Sequence, residues 1–321
     1  MSTLYLDRKG LALKLDGHAM ALYENDVKRG TIPFRMLEKV VVRGNVTLES
    51  RLLCALGRNQ VDILFLSGRN SQRGTMSFSH KHNDAKRRLT QYKVSLGQEL
   101  QRNLATGLVL AKLEKQLQML ESCLSKRPDL RKTFTSAIRS LQVNRRGIME
   151  QNEGVASVAQ LRGYEGAAAA AYFSAFTQLF SPKLGFNARN KRPPTDPVNA
   201  CLSLGYTLLH FEAVGVCYMV GLEPMLGFYH EPAFGRESLA CDLIEPLRPR
   251  LDALVWSLFR DRKLRVEQFV FENKRCLLNK DGRKVFYAEY ERFAHPVRRL
   301  LRLQGHSLAR FYLQAEKGVS P

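Results

Sequence analysis

The segment AKRRLTQYKVSLGQELQRNLATGLVLAKLEKQLQMLESCL, residues 85–124, decides the fold class of this chain. It has an apolar residue at every third or fourth position, which is the spacing of one buried face of a long helix. From there to the C-terminus almost every stretch has the same helical spacing, apart from proline-rich breaks at 191–198 and 229–235. The sequence therefore predicts a helical domain over residues 84–321.

The first 83 residues follow a different pattern. Short runs rich in β-branched and aromatic residues alternate with Gly, Asn and Asp at a spacing of roughly ten residues, which is typical of a small sheet or sandwich. One helical piece, LESRLLCALGRNQ at 48–60, interrupts these runs. We therefore predict an α+β protein, in which a β-sandwich-like domain over residues 1–83 precedes a larger all-α domain over residues 84–321.

The chain is strongly basic, because 50 Lys and Arg residues outweigh 30 Asp and Glu residues and give a net charge of +20 at pH 7. Such a charge favours a polyanionic partner, since each neutralised phosphate releases counterions. The basic residues concentrate in segments 81–102 and 283–310. A solvated helix face would explain either segment alone, but the two together predict a groove that follows the phosphates of a nucleic acid. The candidate contacts to that backbone are Arg87, Arg88, Arg298, Arg299 and Arg302.

The six cysteines are widely spaced and form no CxxC pair, so the sequence predicts neither a zinc knuckle nor a disulfide framework. Isolated cysteines in apolar surroundings are typical of reduced thiols in the cytosol. No uninterrupted apolar run approaches the roughly 18 residues of a membrane span, and Asp7 would interrupt the core of a signal peptide. We expect a cytoplasmic protein that does not associate with membranes.

A single carboxylate precedes the most apolar part of the helical domain, in RGYEGAAAAAYF at 162–173. On a helix, Glu165 shares a stripe with Ala169, Tyr172 and Phe176, and the other faces are nearly as apolar. A helix that is apolar all round is normally buried, so we expect Glu165 to lie partly inside. Three explanations stay open: an exposed first turn where the helix dipole favours an acid, an ion pair with a buried Arg, or a bound metal ion.

A second segment, GFYHEPAFGRESLACDLIEPLRP at 227–249, combines a His with two acids. His230 lies on a loop, and Asp242 and Glu245 are three residues apart on a helix, so that both carboxylates point to one side. One His and two acids facing a third carboxylate are ligands that suit Mg²⁺ or Mn²⁺. The alternative is a structural loop His beside a solvated acidic edge, in which Asp242 and Glu245 pair with Arg236 or Arg248.

A third segment, RNKRPPTDPVNACLSLGYTLL at 189–209, has three prolines ahead of an apolar helix. The rigid loop would fix the directions of Arg189, Arg192 and Asn199. These side chains would hold a phosphate or orient a metal ligand. Capping of the helix is the competing explanation, which we slightly favour for Asn199.

These three segments, with RRLTQYKVS at 87–95, resemble the CRISPR-associated adaptation integrase family, Cas1. The resemblance rests on LRGYEGAAAAAYF, RPPTDPVNACLSLGYTLL and the segment beginning GFYHEPAFG, in that order, and it covers the whole chain. It implies an N-terminal β-sandwich-like domain for dimer and partner contacts and a helical catalytic domain. It also implies a homodimer that assembles with the smaller Cas2 protein and inserts foreign DNA fragments into a CRISPR array.

The single divalent-metal site of that family uses a Glu, a His and a further acid, so the resemblance implies that Glu165, His230 and Glu245 hold Mg²⁺ or Mn²⁺. Asp242 matches an additional acid near the metal, and either Asp242 or Glu245 could be the direct ligand. The implied reaction is attack of a DNA 3′-hydroxyl on a phosphodiester, without a protein nucleophile. A non-catalytic DNA-binding scaffold and a metal-dependent nuclease of branched DNA are the alternatives.

Overall fold

The structure is a computed structural model that describes residues 2–66, 74–77, 82, 84–151, 157–190 and 193–316. The chain divides into two compact units, Met1–Ala85 with Tyr218–Gly221 and Lys86–Cys217 with Leu222–Pro321. Strands dominate the described part of the first unit and helices that of the second. The predicted fold class, an N-terminal β domain followed by a mostly helical region, is confirmed.

The first unit contains two four-stranded sheets. Its described elements, in chain order, are β1 (Ser2–Leu6), β2 (Leu11–Asp16), β3 (Ala19–Glu24), β4 (Val27–Pro33), β5 (Leu37–Arg43), β6 (Val46–Leu48), α1 (Ser50–Arg58), β7 (Asp62–Leu66) and β8 (Gly74–Ser77). One sheet has the order β1-β5-β7-β8, with parallel pairs except for the antiparallel β7–β8 pair. The other has the order β4-β3-β2-β6, with β6 parallel to β2 and the remaining pairs antiparallel.

Both sheets and α1 contribute side chains to one hydrophobic core. Leu13 of β2 and Met20 of β3 lie in this core with Val40 of β5, Leu52 of α1 and Ile63 of β7. The central strand β5 is buried on both faces, as its run of three valines requires, whereas β2 alternates between buried and partly exposed positions. The sandwich-like packing therefore follows from the residue pattern of the individual strands.

The helical part of the chain carries the residues of the candidate site. Its described elements, in chain order, are α2 (Ala85–Val94), α3 (Gln98–Leu124), α4 (Arg131–Gln151), α5 (Val158–Thr177), α6 (Pro197–Val220), α7 (Ser238–Ile244), α8 (Arg248–Arg260), β9 (Phe269–Glu272), β10 (Arg275–Leu278) and α9 (Lys280–Glu316). A 3₁₀ turn over Glu245–Leu247 joins α7 to α8, because Pro246 lacks the amide hydrogen that would continue the α-helical bonding.

The long helix α3 lies at the centre of the second unit and packs against α4, α5 and α8. Its buried residues recur at the predicted spacing of three and four, and they include Val109, Leu113, Leu117 and Leu120. The adjacent helix α5 buries Phe176, whose ring lies 5.1 Å from that of Phe180 between centroids. The helices α3 and α5, which carry Lys112 and Glu165, therefore pack directly against each other.

The structure corrects two expectations about the helical domain. A face of α5 that includes Gly166, Ala167 and Ala170 is exposed, although the alanine run predicted burial all round. Alanine tolerates this exposure because it is the best helix former and carries little apolar surface. The second correction is the antiparallel hairpin β9–β10, which lies within the region predicted to be helical.

The helix α6 is long and apolar enough to cross a membrane by length and composition alone. However, 83% of its most apolar window is buried inside the protein, as in the core helix of a soluble protein. The burial follows from its sequence, since Leu202, Leu209 and Cys217 all lie in the interior.

Candidate metal centre

Glu165 is the eighth residue of α5 and its side chain is 21% exposed. A capping box begins this helix: Ser157 Oγ accepts a hydrogen bond from the Gln160 amide at 3.2 Å, and Gln160 Oε1 accepts one from the Ser157 amide at 2.8 Å. Glu165 therefore lies beyond the first turn, where the helix dipole would favour an acid. Of the three explanations for this carboxylate, the first-turn explanation is wrong.

Lys112 of α3 joins two of the predicted metal ligands. Its ammonium group forms an ion pair with Glu165 Oε1 and lies 2.6 Å from Glu245 Oε2. Burial lowers the pKa of Lys112, but the charges of Glu245 and Glu165 outweigh it, so that the pKa is raised and the side chain stays cationic. Glu165 thus has the ion pair that the sequence analysis considered, with a Lys in place of the expected Arg.

Asp242 of α7 is completely buried and accepts four hydrogen bonds. Its Oδ2 accepts from the amides of Phe228 at 2.7 Å and Tyr229 at 3.1 Å, and its Oδ1 accepts from the His230 amide at 3.0 Å and from His230 Nδ1 at 2.6 Å. The loop lies so close that a Cβ at Gly227 would fall 2.7 Å from Asp242 Oδ2. These four bonds occupy the lone-pair sites of the carboxylate and hold His230 in position, which favours Glu245 over Asp242 as the direct metal ligand.

The ring of His230 is directed toward Glu245. Since Asp242 Oδ1 accepts the bond from Nδ1, the proton of the neutral imidazole lies on Nδ1 and the Nε2 lone pair is left for a ligand. Nε2 lies 4.0 Å from Glu245 Oε1, which is too far for a hydrogen bond. A carboxylate-imidazole pair of this kind is the usual support of a metal-binding His.

Glu245 is also held by Arg248, whose Nε donates to Glu245 Oε1 at 2.8 Å. Burial raises the pKa of this carboxyl, but Arg248 and then Lys112 outweigh it and hold the pKa at about 2. The pairing with Arg248 that the sequence analysis considered is therefore present. It lies in the interior, however, and not at a solvated acidic edge.

A cation–π contact and two hydrogen bonds connect Arg248 to α5. The guanidinium of Arg248 lies 4.6 Å from the ring centroid of Tyr206, whose hydroxyl donates to Asp252 Oδ1. Tyr172, on the same stripe of α5 as Glu165, donates to Asp252 Oδ2 at 2.9 Å. Burial raises the pKa of Asp252 to about 6, in spite of the two hydroxyl donors. This network fixes the two helices that carry Glu165 and Arg248.

The donor set fits a hard divalent cation. Glu245 Oε2 is buried and lies 2.6 Å from the Lys112 ammonium, so this oxygen is directed to the place where a cation already lies. Two carboxylates and one imidazole nitrogen are ligands that Mg²⁺ and Mn²⁺ accept. Over the described ranges, no three acidic, His or Cys side chains are already grouped to hold a metal ion. Lys112 lies between Glu165 and Glu245 instead.

The proline-rich loop ahead of α6 is fixed by Asn199, which is completely buried. Its amide group donates to Asp196 Oδ2 at 2.6 Å and to the Ala188 carbonyl at 2.9 Å, and its Oδ1 accepts from Arg189 at 2.7 Å. Arg189 also donates to Ser203 Oγ at 3.3 Å. The side chains of Asn199 and Arg189 therefore hold the loop against the helix. Arg189 is therefore corrected from a phosphate contact to a structural residue, and Arg192 lies outside the described residues.

The candidate DNA contacts on α2 and α9 differ in exposure. Arg298 is 9% exposed and lies 2.8 Å from both Glu212 and Glu291, so its prediction as a DNA contact is corrected. Successive residues on a helix point about 100° apart, and the next residue, Arg299, is exposed. Three further candidates are half-buried, namely Arg87, Arg88 and Arg302.

Comparison with known proteins identifies the family to which this chain belongs. The model of the family "CRISPR associated protein Cas1" matches residues 4–292 of this chain. The chain belongs to the Cas1 family. A CRISPR-associated endonuclease Cas1 from Thermodesulfovibrio yellowstonii is 36% identical over 323 residues, with 100% of both chains covered. A Cas4 exonuclease and Cas1 endonuclease fusion from Geobacter sulfurreducens is 32% identical, over 99% of this chain and 59% of the fusion.

Solved structures agree with the Cas1 fold. A CAS1 protein from Thermotoga maritima superimposes with a TM-score of 0.81 at 24% identity, over 98% of this chain and 97% of that one. A casposase bound to an integration product superimposes with a TM-score of 0.83 at 20% identity, over 97% of this chain and 90% of that one. Because the sequence identities are only 24% and 20%, these similarities show a shared fold and nothing more specific. The resemblance to Cas1 inferred from three sequence segments is confirmed.

Two residues beside the acids of this Cas1 chain were not chosen as site residues from the sequence. Lys112 lies on the buried side of α3, between Val109 and Gln116 at helical spacing, where a Lys is unusual unless it is paired. That position was the available signal, and only the folded chain shows which acids it meets. Arg248 was considered as a partner of the acids, but not as the residue that holds Glu245 in place.

Proposed function

We propose that this chain is a divalent-metal-dependent DNA integrase and endonuclease of CRISPR adaptation. It would insert DNA fragments into a CRISPR array by attack of a 3′-hydroxyl on a phosphodiester. The observation that carries the proposal is the hydrogen bonding of Asp242, which turns His230 Nε2 toward Glu245. Membership in the Cas1 family supports the reaction class, and a casposase of the same fold has been seen with an integration product.

Glu165, His230 and Glu245 would hold the cation, Mg²⁺ or Mn²⁺. When bound there, the cation supplies a Lewis acid that stabilises developing charge on the phosphodiester. The chain itself orients the ligands: Asp242 keeps the Nδ1 proton of His230 in place, and Arg248 fixes the rotamer of Glu245. The interior position of Glu245 excludes water from one side of the site. Positioning and electrostatic stabilisation require no protein nucleophile.

DNA, a second copy of this chain and a Cas2 protein are the proposed partners, and the cytoplasm is the proposed location. The net charge of +20 supports DNA. A complex of a Cas6-RT-Cas1 protein with Cas2 contains the same fold, with a TM-score of 0.81 at 20% identity over 98% of this chain and 35% of that one. Six cysteines without a disulfide support a reducing compartment.

A strand-transfer assay tests the proposed function. Wild-type protein would be incubated with a short duplex carrying 3′-hydroxyl ends and a supercoiled target, with and without a Cas2 protein, in Mg²⁺, in Mn²⁺ or in excess chelator. We expect joined product in the presence of either cation and none with chelator. Joining that persists in chelator would contradict the metal site. Cleavage without joining, even with Cas2, would favour the nuclease, and binding without either reaction would favour the scaffold.

The exposed residue of the α9 pair should contact DNA, whereas the buried one should support the fold. Arg299→Gln is expected to weaken DNA binding regardless of sequence and to reduce the salt dependence of log K by about one unit of slope. The measurement is the binding constant for a duplex at several salt concentrations. Arg298→Gln should instead lower the free energy of unfolding by about 3–5 kcal/mol, because it removes the cation that pairs with the buried Glu212.

Arg35→Gln is the matched control for net charge, since Arg35 is exposed and lies in the first unit, outside both basic segments. Its DNA affinity and salt slope should equal those of the wild type. If Arg299→Gln and Arg35→Gln have the same affinity and slope, Arg299 makes no phosphate contact.

A further inference from the structure

The ammonium group of Lys112 lies between two of the residues that would hold the metal ion. It touches Glu165 Oε1 and lies 2.6 Å from Glu245 Oε2, and the Lys112 side chain is only 13% exposed. Both acids reach this one cation from separate elements, since Glu165 lies on α5 and Glu245 on the 3₁₀ turn between α7 and α8. The two carboxylates that would bind a metal ion are thus already drawn together by a Lys.

Without a cation, this arrangement would be unfavourable. Two carboxylates brought close together in a poorly hydrated site repel each other and would separate or take up a proton. The ammonium of Lys112 and the guanidinium of Arg248 together balance the charges of Glu165 and Glu245. The four groups therefore form a neutral cluster when no metal ion is bound.

A divalent cation cannot simply be added to this cluster. The ammonium group and a metal ion would compete for Glu165 Oε1 and Glu245 Oε2, and two cations at that separation would repel each other. Arg248 approaches Glu245 through the other oxygen, Oε1, so it can stay in place. The side chain that has to move is that of Lys112.

We propose that Lys112 is a built-in competitor of the metal ion: it holds Glu165 and Glu245 together in the metal-free protein and is displaced when the cation binds. This inference rests on the metal site of the proposed function. Lys112 is then a positioning residue that raises the cation concentration needed to load the site. A permanent structural ion pair is the contrasting role, in which Lys112 stays on the carboxylates and metal affinity does not depend on it.

The two roles differ in the sign of one measurement. Loss of Lys112 leaves two acids without their shared cation, so either role predicts a metal-free protein with a lower Tm. Displacement also predicts tighter metal binding, because the competitor is gone. A loss of structure would weaken stability and metal binding together. Opposite changes in the two quantities therefore identify a competitor.

The experiment uses the full chain without DNA. Mn²⁺ binding to wild type, Lys112→Met and Lys112→Gln would be followed by the electron paramagnetic resonance signal of free Mn²⁺, and Tm would be recorded with and without Mn²⁺. Lys112→Gln keeps a hydrogen-bond donor and is the variant to use if Lys112→Met does not fold. Lys115→Met is the matched control, because Lys115 lies on the same helix and bonds Gln118 at 2.9 Å instead of the two acids.

We expect both Lys112 variants to bind Mn²⁺ about tenfold more tightly than the wild type, as loss of a charge-assisted bond of the competitor implies. Their metal-free Tm should be lower by several degrees, and Lys115→Met should match the wild type in both quantities. An unchanged or weaker Mn²⁺ affinity in a folded Lys112 variant overturns the displacement and leaves the metal site standing. Absence of Mn²⁺ binding in every protein overturns the metal site and this role with it.

Discussion

Replacing Glu165 with Gln is expected to lower the rate of strand transfer about 1,000-fold, because the loss of several kcal/mol of metal-based stabilisation has this effect. The change is small in shape. A Gln at 165 can still accept the hydrogen bond of Lys112 on α3, and its side chain keeps the partly exposed position of the acid. It lacks the negative charge that makes a carboxylate a strong ligand of a hard cation. The measurement is the initial rate of joined product in Mn²⁺.

Glu114→Gln is the matched control for this variant. Glu114 is an acid on α3, 41% exposed, whose carboxylate lies 3.6 Å from Arg145 in a surface ion pair. Its replacement should leave the rate of strand transfer unchanged. It should change the free energy of unfolding by no more than about 0.5 kcal/mol. Strand transfer within tenfold of the wild type in Glu165→Gln, with the chelator still inhibiting, would show that the cation is held by other residues. A similar fall in Glu114→Gln would indicate a general effect of charge.

Local patterns in the sequence predicted most of the helices, because the spacing of apolar residues is a local property. The segment that became α3 shows it most clearly. Strand pairing is not local, since β1 pairs in parallel with β5, more than thirty residues further along the chain. The regular spacing of short strands does not reveal which strands pair with each other. The hairpin β9–β10 was missed because Asn273 and Lys274 at its turn have φ values of 48° and 61° without the usual Gly.

The sequence also predicted the candidate site only in part: it pointed to most of the residues but not to all of their roles. Glu165, His230 and Glu245 stood out from their neighbours, and the resemblance to the Cas1 family then implied that they form one metal site. The role of Asp242 became clear only from its four hydrogen bonds, which depend on the fold of the loop ahead of α7. Arg298 was misassigned because a basic segment does not reveal which of its residues face the interior.

Asp242→Asn is expected to lower the affinity for Mn²⁺ about 10- to 100-fold, the usual effect of changing the partner of a metal-binding His. An Asn has one acceptor oxygen, so its amide group would face two of the four donors that Asp242 now satisfies. Each donor left unsatisfied in the interior costs about 1–3 kcal/mol of unfolding free energy. His230 would lose the acceptor that keeps its proton on Nδ1 and its Nε2 toward Glu245. The measurements are Mn²⁺ affinity and denaturant unfolding.

Asp196→Asn separates the two effects, because Asp196 is also a buried acid that accepts backbone and amide donors. The carboxylate of Asp196 accepts from the backbone N–H of Asn199 at 2.8 Å and from Asn199 Nδ2 at 2.6 Å. These hydrogen bonds involve neither His230 nor Glu245. It should therefore destabilise the protein in the same way while the Mn²⁺ affinity stays that of the wild type. If the two Asn variants bind Mn²⁺ equally well, His230 does not depend on Asp242 for its orientation. If only Asp242→Asn binds Mn²⁺ weakly, the hydrogen bond between Asp242 and His230 Nδ1 supports metal binding.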